Sequence, residues 1–88
     1  MSDLSEQQRD DLPESAFAFP KERKEPLVNA EHVRAAVARF DQVEGVSNHE
    51  RDRAWDRIQR AARRHGVELH ERDWRELYRR NDRPLPRG

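Results

Sequence analysis

The sequence contains no cysteine and no long apolar run, and each absence excludes a class of protein. Without cysteine there are no disulfides and no thiolate metal sites, so nothing points to secretion. No apolar run approaches the roughly 20 residues that a membrane-spanning helix needs. The acidic start, MSDLSEQQRDDLPES, lacks the basic-then-apolar order of a signal peptide. We therefore expect a cytoplasmic protein without membrane contact.

The composition allows one small domain. Charged residues make up 41% of the 88 residues and hydrophobic ones 33%, which is close to the composition of disordered chains. The apolar residues nevertheless recur at helical spacing in three places. We therefore predict an all-α fold, a compact three-helix domain over 12–81, with flexible termini at 1–11 and 82–88.

A formal net charge of zero conceals an asymmetry between the two halves of the chain. Residues 1–44 contain six Lys/Arg and ten Asp/Glu, whereas residues 45–88 contain twelve and eight. The second half could therefore bind an anionic partner. Equally, the acidic first half could lie near the basic second half.

An extended, proline-containing strap is predicted over 12–28, ahead of the helices. Phe17 and Phe19 are two residues apart, so in an extended chain their rings point to the same side and can lie on the helices. An edge strand is the alternative, but no partner strand is evident in the sequence. Three prolines exclude a continuous helix here: Pro13, Pro20 and Pro26.

The first helix is predicted over about 30–43, with Asn29 as its N-cap and Gly45 as its end. One stripe of its residues follows the spacing of a buried helical face. The members of this stripe are Val33, Ala36, Val37 and Phe40.

The second helix is predicted over about 48–64. Ser47 and Glu50 have the spacing of a reciprocal capping box, and Gly66 ends the helix. Its apolar stripe, with Trp55 on the border, consists of Ala54, Ile58, Ala61 and Ala62.

The third helix is predicted over about 71–81. Trp74 and Tyr78 could stack on nucleic-acid bases. Because they are four residues apart with Leu77 between them, burial in the core is the favoured interpretation.

The tetrapeptide HERD occurs twice, at 49–52 and 70–73. Glu50 falls at the third position of its helix and Glu71 at the first, so the copies are two residues out of register and mark helix starts rather than a duplicated unit. Neither copy continues as the His-Glu-x-x-His of zinc proteases. His65 and His70 could still meet across a loop with Glu68 or Glu71, but we predict no metal and no cofactor.

Four arginines of the second helix are spaced by 4, 3 and 4 residues, which places them on one stripe beside its apolar face. Only Asp56 stands four residues before one of them. Such a surplus of guanidinium groups suits phosphate binding. The alternative is a solvated face whose arginine stems cover the rim of the core. The four residues are Arg53, Arg57, Arg60 and Arg64.

Little in the sequence suggests catalysis. There is no glycine-rich phosphate loop and no cysteine, and of the four serines Ser47 is predicted to cap a helix. A chain of this length has little room for a desolvated cleft that would tune carboxylate pKa values. We therefore expect a protein that is not an enzyme.

The stretch LPESAFAFPKERKEP, the segment HVRAA, the tripeptide GVS and the closing WREL together resemble a family of small bacterial proteins of unknown function, common in actinobacteria. Similar segments occur in phage-associated proteins, some beside capsid-maturation components. The resemblance covers about 12–77 and carries no established functional residues. It implies a structural or interaction role.

We therefore expect a monomeric, non-enzymatic protein-interaction or accessory module with an unidentified protein partner, and the resemblance implies a relation to phage or prophage. The alternative is an accessory nucleic-acid-binding protein that uses the four arginines of the second helix. A third hypothesis is a metal-dependent enzyme around His65 and His70.

Overall fold

The computed structural model describes residues 17–19 and 24–87. The predicted tail at 1–11 and the strap positions 12–16 and 20–23 lie outside the described residues. In chain order the elements are β1 (Phe17–Phe19), β2 (Lys24–Pro26), α1 (Ala30–Arg39), a short 3-10 helix (Phe40–Gln42), α2 (Asn48–His65) and α3 (Arg75–Arg80).

The fold is mostly helical, as predicted, but the all-α prediction is wrong at one small hairpin. Strands β1 and β2 pair antiparallel, with Phe17 opposite Pro26 and Phe19 opposite Lys24. The Lys-Glu-Pro sequence of β2 has no alternation of apolar and polar residues, so no local pattern indicates a partner strand for β1. Pro26 stands at the end of its strand, where a missing N–H donor is tolerated.

Strand β1 is buried on both of its faces. Phe17 and Ala18 are fully buried and Phe19 nearly so, because β1 packs against α2 and pairs with β2. The ring centroids of Phe19 and Phe40 lie 5.6 Å apart. The predicted contact of an N-terminal ring with the helices is therefore confirmed for Phe19.

Helix α1 begins as predicted and ends earlier. Asn29 caps it through its side-chain oxygen, which accepts a hydrogen bond from the backbone N–H of His32 at 2.8 Å. The helix was predicted to reach residue 43, but it ends at Arg39, and the chain tightens into the 3-10 helix. Val43 then has an extended backbone, so the chain leaves the helical path before Gly45.

Both ends of helix α2 confirm the prediction. The Ser47 hydroxyl accepts from the Glu50 N–H at 3.1 Å, and the Glu50 carboxylate accepts from the Ser47 N–H at 3.0 Å. Gly66 has a φ of 70°, a left-handed conformation that glycine adopts without a steric cost. The predicted apolar stripe is buried throughout: Ala54, Ile58, Ala61 and Ala62.

Helix α3 is shorter than predicted, since it begins at Arg75 rather than at Glu71. The carboxylate of Asp73 accepts from the Arg75 N–H at 2.7 Å, and that of Glu76 accepts from the Asp73 N–H at 3.2 Å. These two bonds satisfy the backbone N–H groups of Asp73 and Arg75, where the chain enters α3. Residues 70–73 consequently remain outside the helix.

Phe40 lies at the centre of an aromatic cluster that holds the elements together. Its ring centroid is 5.7 Å from that of Trp55 and 6.0 Å from that of Trp74. Trp74 also meets Tyr78 edge-to-face at 5.5 Å, and both side chains are buried. The prediction that Trp74 and Tyr78 belong to the core is therefore confirmed.

The segment after α3 contacts the rest of the domain at two points. Arg83 pairs with Asp41 through Nε and Oδ2 at 3.1 Å, and the Asn48 amide donates to the Pro86 carbonyl at 3.2 Å. Leu85 is 45% exposed, so its side chain does not fold back onto the core. The predicted C-terminal tail has neither helix nor strand, yet it is attached to the domain.

Candidate anion-binding surface on helix α2

The four predicted arginines lie along one exposed side of α2, which we call the arginine face: Arg53, Arg57, Arg60 and Arg64. Three of them are exposed and Arg57 is half-buried. From the first to the last, the face extends about 16 Å along the helix axis at 1.5 Å per residue. The helical spacing therefore places the side chains together, as the sequence predicts.

Two adjoining shallow depressions follow this face and share Arg57 and Arg60. The first depression also contains an exposed histidine and two carboxylates, and its full lining is His49, Asp52, Arg53, Asp56, Arg57 and Arg60. The second depression has an apolar floor, and its full lining is Leu27, Arg57, Arg60, Ala61 and Arg64. No carboxylate lines the second depression among the described residues.

Most positive charge of the face is left without a counterion. Asp56 pairs with Arg60 at 3.0 Å, as the four-residue spacing predicts, and both side chains are more than half exposed. Such a pair contributes little to stability. Among the side chains that the structure describes, those of residues 17–19 and 26–87, no ion pair involves Arg53, Arg57 or Arg64.

Asp52 borders the face but is engaged elsewhere. It accepts a hydrogen bond from the indole N–H of Trp74 at 2.7 Å and lies 3.4 Å from the Arg75 guanidinium. That guanidinium stacks on the Trp74 ring at 4.3 Å and contacts Asp73 at 3.2 Å. Because Asp52 is held on the α3 side, it does not neutralise the arginine face.

The two tryptophans make a reciprocal connection that sequence analysis missed. Trp74, directly after the second HERD copy, donates to Asp52 of the first copy. Trp55, three residues after the first copy, donates its indole N–H to the Arg72 carbonyl of the second copy at 3.3 Å. This exchange ties α2 to the segment that leads into α3. It depends on tertiary packing, so no local pattern could reveal it.

Arg51 is a buried arginine that sequence analysis also missed. It is 6% exposed, donates to the Asn48 side chain at 2.8 Å and lies 5.8 Å from the centre of the Trp74 ring. Its position three residues before Ala54 and seven before Ile58 places it on the apolar stripe. Helical periodicity could therefore have identified it as a core residue.

Two buried carboxylates make polar contacts that stabilise the fold. Asp41, 6% exposed, accepts from the Asn81 amide at 2.9 Å and pairs with Arg83. Glu71, equally buried, pairs with Arg80. Each carboxylate therefore fixes the position of residues in or just after α3.

The alternative in which His65 and His70 meet across the loop with Glu68 or Glu71 is not assembled as a metal site among the described residues. In the part of the chain that the structure describes, no group of three or more His, Cys, Asp or Glu side chains could hold a metal ion. Glu71 faces Arg80 instead. Likewise, none of the described helices combines the length and the apolar character that crossing a membrane requires.

Residues 2–72 match the model of a family of unknown function, DUF6582. The chain belongs to this family. The match includes the whole arginine face and ends before Trp74 and α3. No curated protein and no solved structure gives a significant match.

Proposed function

We propose that this protein is a non-enzymatic module that binds another protein through its arginine face. The observation that carries the proposal is the surplus of guanidinium groups on one exposed side of α2. Arg53, Arg57 and Arg64 have no ion pair within the described residues, and Arg60 is held only by an exposed partner. Arginine is enriched in protein–protein interfaces, and its planar guanidinium group can bind one carboxylate through two parallel hydrogen bonds.

A non-enzymatic role is supported by the hydrogen bonds and ion pairs that three polar side chains already make within the fold. The buried carboxylates Asp41 and Glu71 are occupied by residues at or after α3, and the Ser47 hydroxyl caps α2. Catalytic carboxylates and hydroxyls need a cleft that tunes them and a free face toward substrate. These three groups are committed to holding the fold instead.

A protein partner is favoured over nucleic acid by the carboxylates on the same surface. Asp52 and Asp56 both line the first depression, each with a side chain 54% exposed, so this surface presents charges of both signs. Nucleic-acid interfaces are much more positively charged than protein interfaces, whereas this chain has a formal net charge of zero. Accessory nucleic-acid binding through the same four arginines remains the second candidate, since their spacing would also suit phosphates.

We further propose that the module acts as a cytoplasmic monomer. The absence of cysteine suits a reducing compartment such as the cytoplasm. Among the described residues, Leu85 is the one large hydrophobic side chain that is exposed. The absence of a contiguous apolar patch on these residues suits a monomer. The resemblance of the chain to phage-associated proteins supports an interaction role by association only.

The test is site-specific photo-crosslinking in the native host, with the crosslinker at exposed His49 on the rim of the face. Two fourfold variants are compared with the parent chain. The face variant is Arg53→Gln, Arg57→Gln, Arg60→Gln and Arg64→Gln. The matched control removes the same charge from exposed arginines elsewhere, by Arg34→Gln, Arg39→Gln, Arg72→Gln and Arg79→Gln.

We expect one adduct of defined mass that resists nuclease, is lost in the face variant and persists in the control. Circular dichroism verifies that both variants keep their helices. An adduct that nuclease removes would move nucleic-acid binding to first place. Titration of labelled duplex DNA at several salt concentrations would support that outcome, since affinity for DNA falls by about 0.9 log unit per log unit of salt for each neutralised phosphate.

A further inference from the structure

The two depressions along the arginine face differ in chemistry, and this difference bears on the partner. The first depression mixes arginines with Asp52 and Asp56, whereas the second surrounds two apolar side chains with three arginines. A ligand at the second depression therefore meets guanidinium groups and hydrocarbon together. A ligand at the first meets charges of both signs.

The apolar floor of the second depression is built by two elements. Leu27 is the residue directly after β2, and Ala61 lies in the second turn from the end of α2. Both side chains belong to the buried core, so their positions are fixed by packing. Because Leu27 and Ala61 are only 5% and 4% exposed, the aliphatic stems of the surrounding arginines supply most of the apolar surface that a ligand can reach.

We infer that the partner presents an acidic, amphipathic segment to the second depression, with one apolar side chain over Leu27 and Ala61 and carboxylates on either side. This inference rests on the proposed function, because it names the chemistry of the protein partner. Guanidinium groups bind carboxylates bidentately, and a buried apolar anchor is the usual centre of a small interface. A phosphate backbone would supply the negative charge without the apolar anchor.

The geometry also gives the spacing of the carboxylates. Of the three arginines around the second depression, Arg60 is paired with Asp56, so Arg57 and Arg64 are available to a partner there. They are seven residues apart, which is roughly 10 Å along the helix axis. Two carboxylates at positions i and i+7 of a partner helix have the same separation, and an apolar residue at i+4 would lie between them on the same side.

The experiment uses the full chain and two fluorescein-labelled, helix-stabilised peptides. One peptide has glutamates at i and i+7 and a leucine at i+4, and the other has serine in place of the leucine. Fluorescence anisotropy at near-physiological salt measures both affinities. The variant Arg57→Gln with Arg64→Gln is compared with the charge-matched control Arg39→Gln with Arg79→Gln, which changes exposed arginines outside the face.

We expect the leucine peptide to bind about fivefold or more tightly than the serine peptide, because the apolar side chain leaves water. Binding should fall about tenfold or more in the Arg57/Arg64 variant, since charge-assisted hydrogen bonds are lost. In the control it should change by less than about twofold, because the salt screens charges outside the face.

Three results would overturn the inference. One is equal binding of the two peptides, and another is an equal loss of binding in the control. The third is peptide binding that arises only after neutralisation of the chain's own acidic residues Asp3, Glu6, Asp10, Asp11 and Glu14, which would assign the surface to that segment. If these results occur while the nuclease-resistant adduct still requires the arginine face, the proposed function stands and only this partner chemistry fails.

Discussion

The two HERD copies have the same four residues and use them in different ways. In the first copy, Glu50 caps the backbone of α2 and Arg51 is buried. In the second, Glu71 is the buried residue and Arg72 is exposed. The first copy lies inside the first turns of a helix, and the second precedes a helix that begins later. An identical tetrapeptide therefore takes its roles from its position relative to the helix start.

The two copies are nevertheless joined through shared partners. Asp52 and Asp73, the last residue of each copy, both contact the Arg75 guanidinium. The tryptophan that follows each copy donates to the other copy, from Trp74 to Asp52 and from Trp55 to the Arg72 carbonyl. Contacts between the two copies, rather than a repeated local structure, therefore hold α2 and α3 together.

The largest expected effect comes from removing either tryptophan. Trp74→Ala and Trp55→Ala should each cost about 3–5 kcal/mol, because each leaves a cavity in the aromatic cluster. Trp74 should cost more, since its ring also meets Tyr78 and the Arg75 guanidinium. Urea unfolding followed by circular dichroism measures both. A Trp74→Ala chain that is as stable as the parent would contradict the central place given to this ring.

A smaller effect separates the two glutamates. Glu71→Ala should cost about 2 kcal/mol, because a buried, paired carboxylate is lost, whereas Glu50→Ala should cost about 1 kcal/mol for a helix cap. Arg80→Ala serves as the comparison for Glu71, and it should cost at least as much, because it leaves the buried Glu71 carboxylate without its partner. The same urea titrations give all three values. If Glu50→Ala lowers the free energy of unfolding more than Glu71→Ala does, the contrast between the two copies is wrong.

The smallest effect tests the hydrogen bond by which Asp52 of the first copy reaches Trp74. Asp52 acts on the Trp74 indole and Asp73 on the first turn of α3. In a double-mutant cycle, Asp52→Ala and Trp74→Phe should therefore couple by about 1 kcal/mol. Asp56→Ala, one turn further along the same helix, should be additive with Trp74→Phe within about 0.5 kcal/mol. Additivity at Asp52 would show that its hydrogen bond contributes nothing.

Features decided by neighbouring residues could be predicted from the sequence. The cap at Asn29, the box of Ser47 with Glu50 and the left-handed Gly66 all follow from short-range hydrogen bonding. The true start of α3 was also accessible, since Asp73 and Glu76 have the spacing of a capping box. The second HERD copy instead led to a predicted start at Glu71, whereas the helix begins at Arg75.

Features decided by distant residues could not be predicted. Strand β2 exists because β1 and α1 lie beside it, and its Lys-Glu-Pro sequence has no strand propensity of its own. The arginine face could be predicted from the sequence only in part. Its positions follow from the helical period, but its excess charge depends on Asp52 turning toward Trp74, and Trp74 is 22 residues away along the chain.

The end of the family match at residue 72 has a practical consequence. Trp74, Leu77 and Tyr78 lie beyond it, and all three are buried in the core. A fragment cut to the matched residues would leave the ring of Phe40 without its Trp74 neighbour and the carboxylate of Glu71 without Arg80. Alignment boundaries and folding boundaries therefore differ here, and expression of the domain for study requires the residues through α3.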